Sequence, residues 1–409
     1  MTKKIALLLT VLMLVSVSFT ACSSGSGSSG NTPPAQSTPA NQTPASSGGA
    51  QSAVTDASSL PVFDAFPRPK MAKDGKSLNV AYLYGQLDQD DDIRLYHQMD
   101  IEVYNRGWEL HNIDVSAGEE AVRSGWLTAI NLGVDLIILP GMSDLENKMD
   151  LIEQSRQAGI GIYATDSMGL AGVITNFNTA MGVAAMELFY RVASDMQWSG
   201  NFCISTAYTY TSVWERTLPV YAYLVNDAIF QDLHLLEEQA VDFTSPLSPP
   251  EQCYQFMQTW NQKYGRQMDA VFIGADADAV VMNESAVAAG RTPNDILLFT
   301  IGGSPSVISG MRESTNCVAY NYAMSPEFAM HNMCELAYQL QVLGLTPGDG
   351  RCLIDSAGGT TNLPGAIITR DNLPDSGESI HSIFAYYDPT KTDEWYFWTS
   401  PSYEVMTWN

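Results

Sequence analysis

Basic residues are scarce in this sequence of 409 residues, which has 20 lysines and arginines against 45 aspartates and glutamates. The resulting formal charge of −25 repels phosphate groups, so nucleic acids are not expected as partners. Acidity of this kind mainly favours solubility, and it does not by itself indicate a substrate.

Histidines and hydrolase motifs are also few. The five histidines are scattered, and neither H-E-x-x-H nor G-x-S-x-G occurs. The segment Gly303-Ser304-Pro305-Ser306 does not have the pattern of a nucleophile elbow. We therefore expect no enzyme activity and no cofactor.

Cysteines are rare and irregularly spaced. Apart from Cys22 there are five, and no pair is spaced as C-x-x-C. An odd number leaves at least one thiol unpaired within the chain. We expect most of them to be small buried hydrophobic residues. The alternative is that two of Cys317, Cys334 and Cys352 form one disulfide.

The first 22 residues have the pattern of a secretion signal. Two lysines precede an apolar run over residues 5–17, which is long enough for a signal-peptide core but too short to span a membrane. The next segment, Phe19-Thr20-Ala21-Cys22, resembles a bacterial lipobox, although Phe19 departs from the usual leucine. We expect residues 1–22 to be a lipoprotein signal peptide ending at a lipidated Cys22, which anchors an extracytoplasmic protein to the cell membrane.

Residues 23–75 are predicted to be a disordered tether. Up to residue 59 they are mostly small or polar and include no lysine or arginine. Such a segment cannot bury enough apolar surface to offset its ordering entropy. Roughly 340 residues then remain, which suggests two domains.

A repeated β-α pattern follows. Gly107, Gly133 and Gly159 are spaced 26 residues apart, and each stands where an amphipathic helix must end and a buried strand must begin. The pattern restarts near residue 200. It predicts an α/β protein with two doubly wound parallel-sheet lobes and a binding cleft at the carboxyl ends of the strands.

Four ordered stretches resemble ribose/galactose-type periplasmic solute-binding proteins, which share the type 1 periplasmic-binding fold with LacI-type repressors. They are Gly133–Ile138, Ala158–Asp166, Asn178–Gly182 and Asp269–Asp276. The resemblance covers roughly residues 78 to 372. It implies a three-stranded hinge with crossings near residues 177, 322 and 356.

The resemblance also implies the domain boundaries. The expected segments are an N-terminal lobe of 76–177 plus 323–355, a C-terminal lobe of 178–322 plus 356–374, and an aromatic-rich tail of 375–409 that docks on a lobe. Dense aromatic residues in the tail favour burial against a surface.

Several ligand-binding residues are implied by position. Asp166 stands at the family's ligand-contacting aspartate, Arg216 at its ligand-facing arginine and Asp276 after a predicted strand. Their alternatives are a cap or turn for Asp166, a surface ion pair for Arg216 and a helix N-cap for Asp276. Tyr322, at a hinge crossing, is a further candidate. Three usual polar positions differ here, where the chain has Ser167, Ala275 and Gly302.

The loop after the first strand departs most from the family. Its acidic run Asp88-Gln89-Asp90-Asp91-Asp92 supplies three candidate ligand contacts, Gln89, Asp91 and Asp92. A second interpretation is that the acidic run stabilises a helix N-terminus. A third is a calcium-binding loop, because the aspartates alternate, although the glycine and glutamate of an EF-hand are missing. Tyr208 and Trp214 can stack on a ligand or simply pack at the rim.

The resemblance implies the substrate-binding lipoprotein of an ABC importer, a monomer that captures a sugar or a sugar-like molecule and presents it to a membrane permease. A ligand-sensing module for a membrane kinase or chemoreceptor is the alternative. A repressor is excluded, because no helix-turn-helix precedes the first strand and the charge is unsuitable.

Overall fold

The structure is a computed structural model. It describes residues 72–73, 76–85, 87, 90–139, 145–164, 173–175, 178–209, 211–226, 230–349, 365–385, 387 and 408. These residues all belong to one compact unit, Thr55–Asn409. Cys22 and nearly all of the predicted tether lie outside them.

Strands and helices alternate along the described chain. The strands are β1 Ala72–Lys73, β2 Lys76–Ser77, β3 Asn79–Tyr84, β4 Glu109–Asp114, β5 Leu136–Leu139, β6 Gly161–Ala164, β7 Val173–Thr175, β8 Gly200–Thr206, β9 Leu233–Ala240, β10 Ala270–Ile273, β11 Leu297–Gly302, β12 Val318–Met324 and β13 Gly365–Thr369. The helices are α1 Asp90–Arg106, α2 Glu119–Leu132, α3 Met149–Gln157, α4 Asn178–Asp195, α5 Thr211–Leu224, α6 Pro249–Tyr264, α7 Asp276–Ala288, α8 Pro305–Gly310 and α9 Pro326–Gln341. Within the part of the chain that is described, no helix has the length and apolar character needed to cross a membrane.

The first lobe is built on a parallel sheet of order β4-β3-β5-β6-β7. Helices α1 and α9 cover one face, and α2 and α3 cover the other. Coverage on both faces explains why its central strands are apolar throughout. Gly107, Gly133 and Gly159 have φ of 67°, 67° and 76°, which confirms the predicted left-handed helix ends.

The second lobe is built on a sheet of order β13-β12-β11-β10-β8-β9. Its pairs are parallel except for β12 with β13. Helices α4 and α5 cover one face, and α6, α7 and α8 cover the other. The molecule is therefore an α/β protein with two doubly wound lobes, as predicted from the repeated pattern.

One crossing between the lobes is described. Strand β12 belongs to the second sheet, whereas α9, which begins two residues later, packs through Met330, Met333 and Leu336 on the first. The expected crossings near residues 177 and 356 lie outside the described residues. In the tail, Ile380, Phe384 and Trp408 are buried in the core of the second lobe beneath α7 and α8.

Some elements differ from the expectation. The repeated β-α pattern does not predict α4 or the short strands β7 and β13. Cys203, Cys253, Cys317 and Cys334 are buried free thiols. A Cys317–Cys334 bond is therefore absent, and Cys352 lies outside the described residues.

Candidate functional site

The carboxyl ends of the two sheets meet at one place. Arg94, on the helix that follows β3, donates from Nη1 to the carbonyl oxygen of Gly303, just after β11, at 3.3 Å. Ser306, on α8, donates from its amide and its hydroxyl to Asp90 Oδ2 at 3.4 and 3.1 Å. The lobes thus touch across the region where ligands bind in doubly wound folds.

Asp91 marks a crevice between the lobes. Its side chain is 35% exposed, yet burial among surrounding protein atoms raises its pKa to about 6. Arg94 and Arg216 lower this pKa, while Asp276 and Glu327 raise it. Asp91 is therefore within electrostatic range of charged groups from both lobes and is still reachable from solvent.

Glu327, in the first turn of α9, fixes Arg94 in this cleft. The Nε and Nη2 atoms of Arg94 donate to its two carboxylate oxygens at 2.6 and 2.8 Å. Burial alone would raise the pKa of Glu327, but the pairing with Arg94 holds it at about 2. His381 of the tail lies near this pair, and burial lowers its pKa to about 4. The remaining Arg94 nitrogen, Nη1, contacts Gly303 and also Asp91 at 3.4 Å.

Asp276 anchors the loop after β11. Its carboxylate accepts hydrogen bonds from the amides of Gly303 and Ser304 at 2.7 and 2.8 Å. It also accepts from Thr300 Oγ1 at 3.0 Å and from Asn321 Nδ2 at 2.9 and 3.1 Å. Because each oxygen has several donors, the structure assigns Asp276 to positioning the loop that meets Arg94.

Arg216, on α5, reaches the carboxyl edge of the second sheet. Its Nη1 donates to the carbonyl oxygens of Gly274 and Ile301 at 2.9 and 3.3 Å, and its Nε faces Met181 Sδ at 3.2 Å. The side chain is buried and does not lie at the surface. Its charge acts on Asp91, so the structure brings Asp91, Arg216 and Asp276 into one site.

Three aromatic candidates lie around the second lobe. Trp214 is exposed in the first turn of α5, two residues before Arg216. Burial and a hydrogen bond to Glu238 of β9 raise the pKa of Tyr208. Burial also raises the pKa of Tyr322 to about 12, and its hydroxyl bonds Glu187 of α4. These two hydroxyls thus interact with carboxylates of the second lobe itself.

The remaining candidates are less defined. Gln89 and Asp166 lie outside the described residues, as does Asp88, so their predicted ligand contacts stay predictions. Asp92 is half-buried in the first turn of α1 and helps to raise the pKa of Tyr82, whose main cause is burial. Among the residues whose placement is described, no group of three or more histidine, cysteine, aspartate or glutamate side chains could hold a metal ion.

Sequence reasoning missed Arg94, Glu327 and Ser306. Arg94 lies on α1, four residues after Asp90, and no motif in the sequence singles it out. Glu327 follows Ser325-Pro326, a helix start whose serine accepts from the Phe328 amide. The contact joins residues 233 positions apart, and no local pattern reveals such a pair.

Comparison with known proteins identifies the fold. No protein-family model matches the chain, and no curated protein matches it. Solved structures do match. An ABC sugar transporter subunit from Rhodobacter sphaeroides is 18% identical with a TM-score of 0.61, over 72% of this chain and 99% of that one.

Two further structures carry polyols. An ABC transporter solute-binding protein from Agrobacterium vitis with bound allitol is 17% identical with a TM-score of 0.62, over 73% of this chain and 97% of that one. A myo-inositol-binding protein from Caulobacter, bound to myo-inositol, is 14% identical with a TM-score of 0.61, over 72% of this chain and 94% of that one. At these identities the likeness establishes the fold alone, and the chain has the type 1 periplasmic-binding fold.

Proposed function

We propose that the chain is the solute-binding subunit of an ABC importer and that it captures a sugar or a sugar-like polyol by closing its two lobes. The observation that carries this proposal is the position of Asp91, which lies in a solvent-reachable crevice and is acted on by Arg216 and Asp276 of the other lobe. Carboxylates and arginines give the directional, charge-assisted bonds by which hydroxyl-rich ligands are held.

The similar structures support the same class of ligand. Their descriptions name allitol and myo-inositol, which are polyhydroxylated and uncharged. By analogy we place this chain in the ribose/galactose-type family. It then acts as a binding protein and not as an enzyme, and its cargo passes to a permease.

The location and the domain plan are part of the proposal. The sequence supports a lipid anchor at Cys22, the tether 23–75, and a monomer that works outside the cell membrane. The lobes comprise 76–177 plus 323–355 and 178–322 plus 356–374, and the tail 375–409 docks on the second lobe. The packing of α9 on the first sheet and of Trp408 in the second core agrees with this plan.

Thermal-shift screening tests the function. The purified protein is heated with neutral hexoses, pentoses, polyols, nucleosides and amines. A ligand that binds only the folded state raises Tm, by an amount that grows with the logarithm of its excess over Kd. A sugar or polyol that raises Tm in this way supports the proposal, whereas stabilisation only by nucleosides or non-sugar amines contradicts it.

A further inference from the structure

The tail packs against helix α8 of the second lobe. Ile380, Phe384 and Trp408 belong to the same buried core as Val307 and Ile308 of α8. All five side chains are 3% exposed or less, so the junction between the tail and α8 excludes water. Helix α8 has six residues, and a helix this short is not stable by itself. Its position therefore depends on the surfaces that surround it.

Two arginines fasten the C-terminal end of α8 to the segment that leads into the tail. Arg312, just after α8, donates from Nη2 to the carbonyl oxygen of Pro374. Arg370, in the turn that follows β13, donates from Nε to the carbonyl oxygen of Met311 at 3.3 Å and from Nη2 to that of Asn316. Because a guanidinium donates in fixed directions, these bonds hold the end of α8 in a defined place beside β13.

The other end of α8 meets the first lobe. The hydroxyl of Ser306 donates to Asp90 at 3.1 Å. The carbonyl oxygen of Gly303, in the loop before α8, accepts from Arg94 at 3.3 Å. His381 of the tail is buried near the ion pair that fixes Arg94. Helix α8 is thus held between the tail on one side and the first lobe on the other.

A displaced α8 cannot keep both of its bonds to the first lobe. Hydrogen bonds weaken steeply as the donor and the acceptor separate or tilt. Packed interfaces also change between discrete arrangements and do not deform continuously. Loss of the packing between the tail and α8 should therefore favour the open arrangement of the lobes over the closed one.

We propose that the tail is a brace that holds α8 where it contacts the first lobe, and that it thereby shifts the balance of the two lobes toward the closed arrangement. The proposal rests on the proposed function only in that the lobes open and close. It gives residues 380–384 and 408 a role in closure that goes beyond docking on the second lobe.

Distances between the lobes test the brace without any ligand. Spin labels carried by an unnatural amino acid replace Leu132 at the end of α2 and Val225 just after α5, which are 52% and 49% exposed. Double electron–electron resonance on the full chain gives the distribution of label separations. Closed molecules have the separation of the present structure, and open molecules have a different one. Phe384→Leu should raise the open-to-closed ratio by about threefold or more, because the smaller side chain loosens the core that supports α8.

Phe202→Leu is the matched control. Phe202 of β8 is also fully buried in the second lobe, but it belongs to the core on the opposite face of the sheet from α8. This substitution should lower the stability to urea and leave the label separations unchanged. A distribution in Phe384→Leu equal to that of the unsubstituted protein overturns the brace. An equal shift in Phe202→Leu also overturns it, because general loosening of the lobe would then be the cause.

A second variant covers the case in which Phe384→Leu does not fold. Arg312 is exposed, so Arg312→Gln leaves the core intact while it removes the bond to Pro374. It should shift the distribution in the same direction as Phe384→Leu. Arg266→Gln, at an exposed arginine of the same lobe that pairs with Asp295, is its control and should cause no shift. In that case an unchanged distribution in Arg312→Gln, or an equal shift in Arg266→Gln, overturns the brace.

The brace and the proposed function can fail separately. No sugar takes part in the distance measurement, so unchanged separations overturn the brace and leave the thermal-shift result as it stands. A screen in which no sugar or polyol raises Tm counts against the proposed function. A larger open fraction in Phe384→Leu would still support the brace in that event.

Discussion

Asp276 illustrates how one residue can occupy a binding-site position and yet serve the backbone. A Cβ atom at Gly302 would lie 2.5 Å from Asp276 Cγ and 2.6 Å from its Oδ2. A residue other than glycine at position 302 therefore has no room for its side chain while Asp276 keeps its bonds to the Gly303 and Ser304 amides.

Gly302→Ala should destabilise the protein by about 1–3 kcal/mol, because the new methyl group must displace Asp276 from its donors. Urea unfolding measures the change. Gly85→Ala is the control, since nothing lies within 4 Å of a Cβ atom there. Equal stability of the two variants would show that the loop after β11 accommodates the methyl group without strain.

At the scale of elements, α1 and α9 are joined by a buried charged network. Glu102 is fully buried and pairs with Arg106 one turn along α1. It also accepts from Gln98 Nε2 at 2.7 Å and bonds His331 Nδ1 of α9 at 2.9 Å. Burial alone would raise its pKa, but Arg106 and these partners hold it at about 2.

Glu102→Gln should therefore lower stability more at pH 7 than at pH 3. The folded pKa lies below the unfolded value near 4.5, so the carboxylate stabilises the fold above that value and loses its effect as pH falls toward 2. The gap in unfolding free energy between wild type and variant should shrink by about 2 kcal/mol between pH 7 and pH 3. Urea unfolding of both proteins at pH 7 and at pH 3 measures this difference in unfolding free energy.

An exposed glutamate provides the control for burial. Glu153 on α3 also has a pKa of about 2, through bonds with Arg156 at 2.7 and 2.8 Å. Glu153→Gln should change stability little at either pH because solvent screens the pair. If the gap for Glu153→Gln shrank as much as that for Glu102→Gln, burial would not be the source of the pH effect.

Much of the element plan follows from local pattern, and the remainder depends on distant contacts. Glycine at a helix end and continuous apolar strands reveal the β-α units, because both arise from neighbouring residues. Strand β7 has three residues and β13 pairs antiparallel at an edge, so neither repeats the pattern. The Arg94–Glu327 pair depends on how α9 returns to the first lobe.

At the scale of the whole molecule, the tail contributes to the core of the second lobe. Trp408 is buried to 1% exposure, its amide donates to Glu378 O, and its carbonyl accepts from Gly377, both at 2.8 Å. Its Nε1 donates to Ser382 Oγ at 3.3 Å. The end of the chain is thereby fixed to residues about 30 positions earlier.

Trp408→Ala should cost about 3–5 kcal/mol of unfolding free energy, as expected for a large aromatic side chain removed from a core. Trp198→Ala, at a tryptophan that is 38% exposed and stacked on Phe230, should cost about 1 kcal/mol. Urea unfolding compares them. A cost for Trp408→Ala no larger than that for Trp198→Ala would show that the tail adds little to the second lobe.

Among the described residues, hydrogen bonds from Arg94 to Gly303 and from Ser306 to Asp90 join the lobes, and polar contacts of this kind suit two bodies that must separate to admit a ligand. Ser306 is the simplest one to remove, because its hydroxyl donates to Asp90 at 3.1 Å across the cleft. Loss of one such bond destabilises the closed form by about 1 kcal/mol, so Ser306→Ala should weaken ligand binding about fivefold through faster release.

The control for this last change lies on the same helix. Among the described residues, the hydroxyl of Ser309, also on α8, has no hydrogen-bond partner, so Ser309→Ala should leave affinity unchanged. Stopped-flow release of a sugar found by thermal shift measures both variants. A faster release in Ser306→Ala alone would tie residence time to the hydrogen bond between Ser306 and Asp90 of the first lobe. Equal release from both variants would mean that the Asp90–Ser306 contact does not hold the closed form.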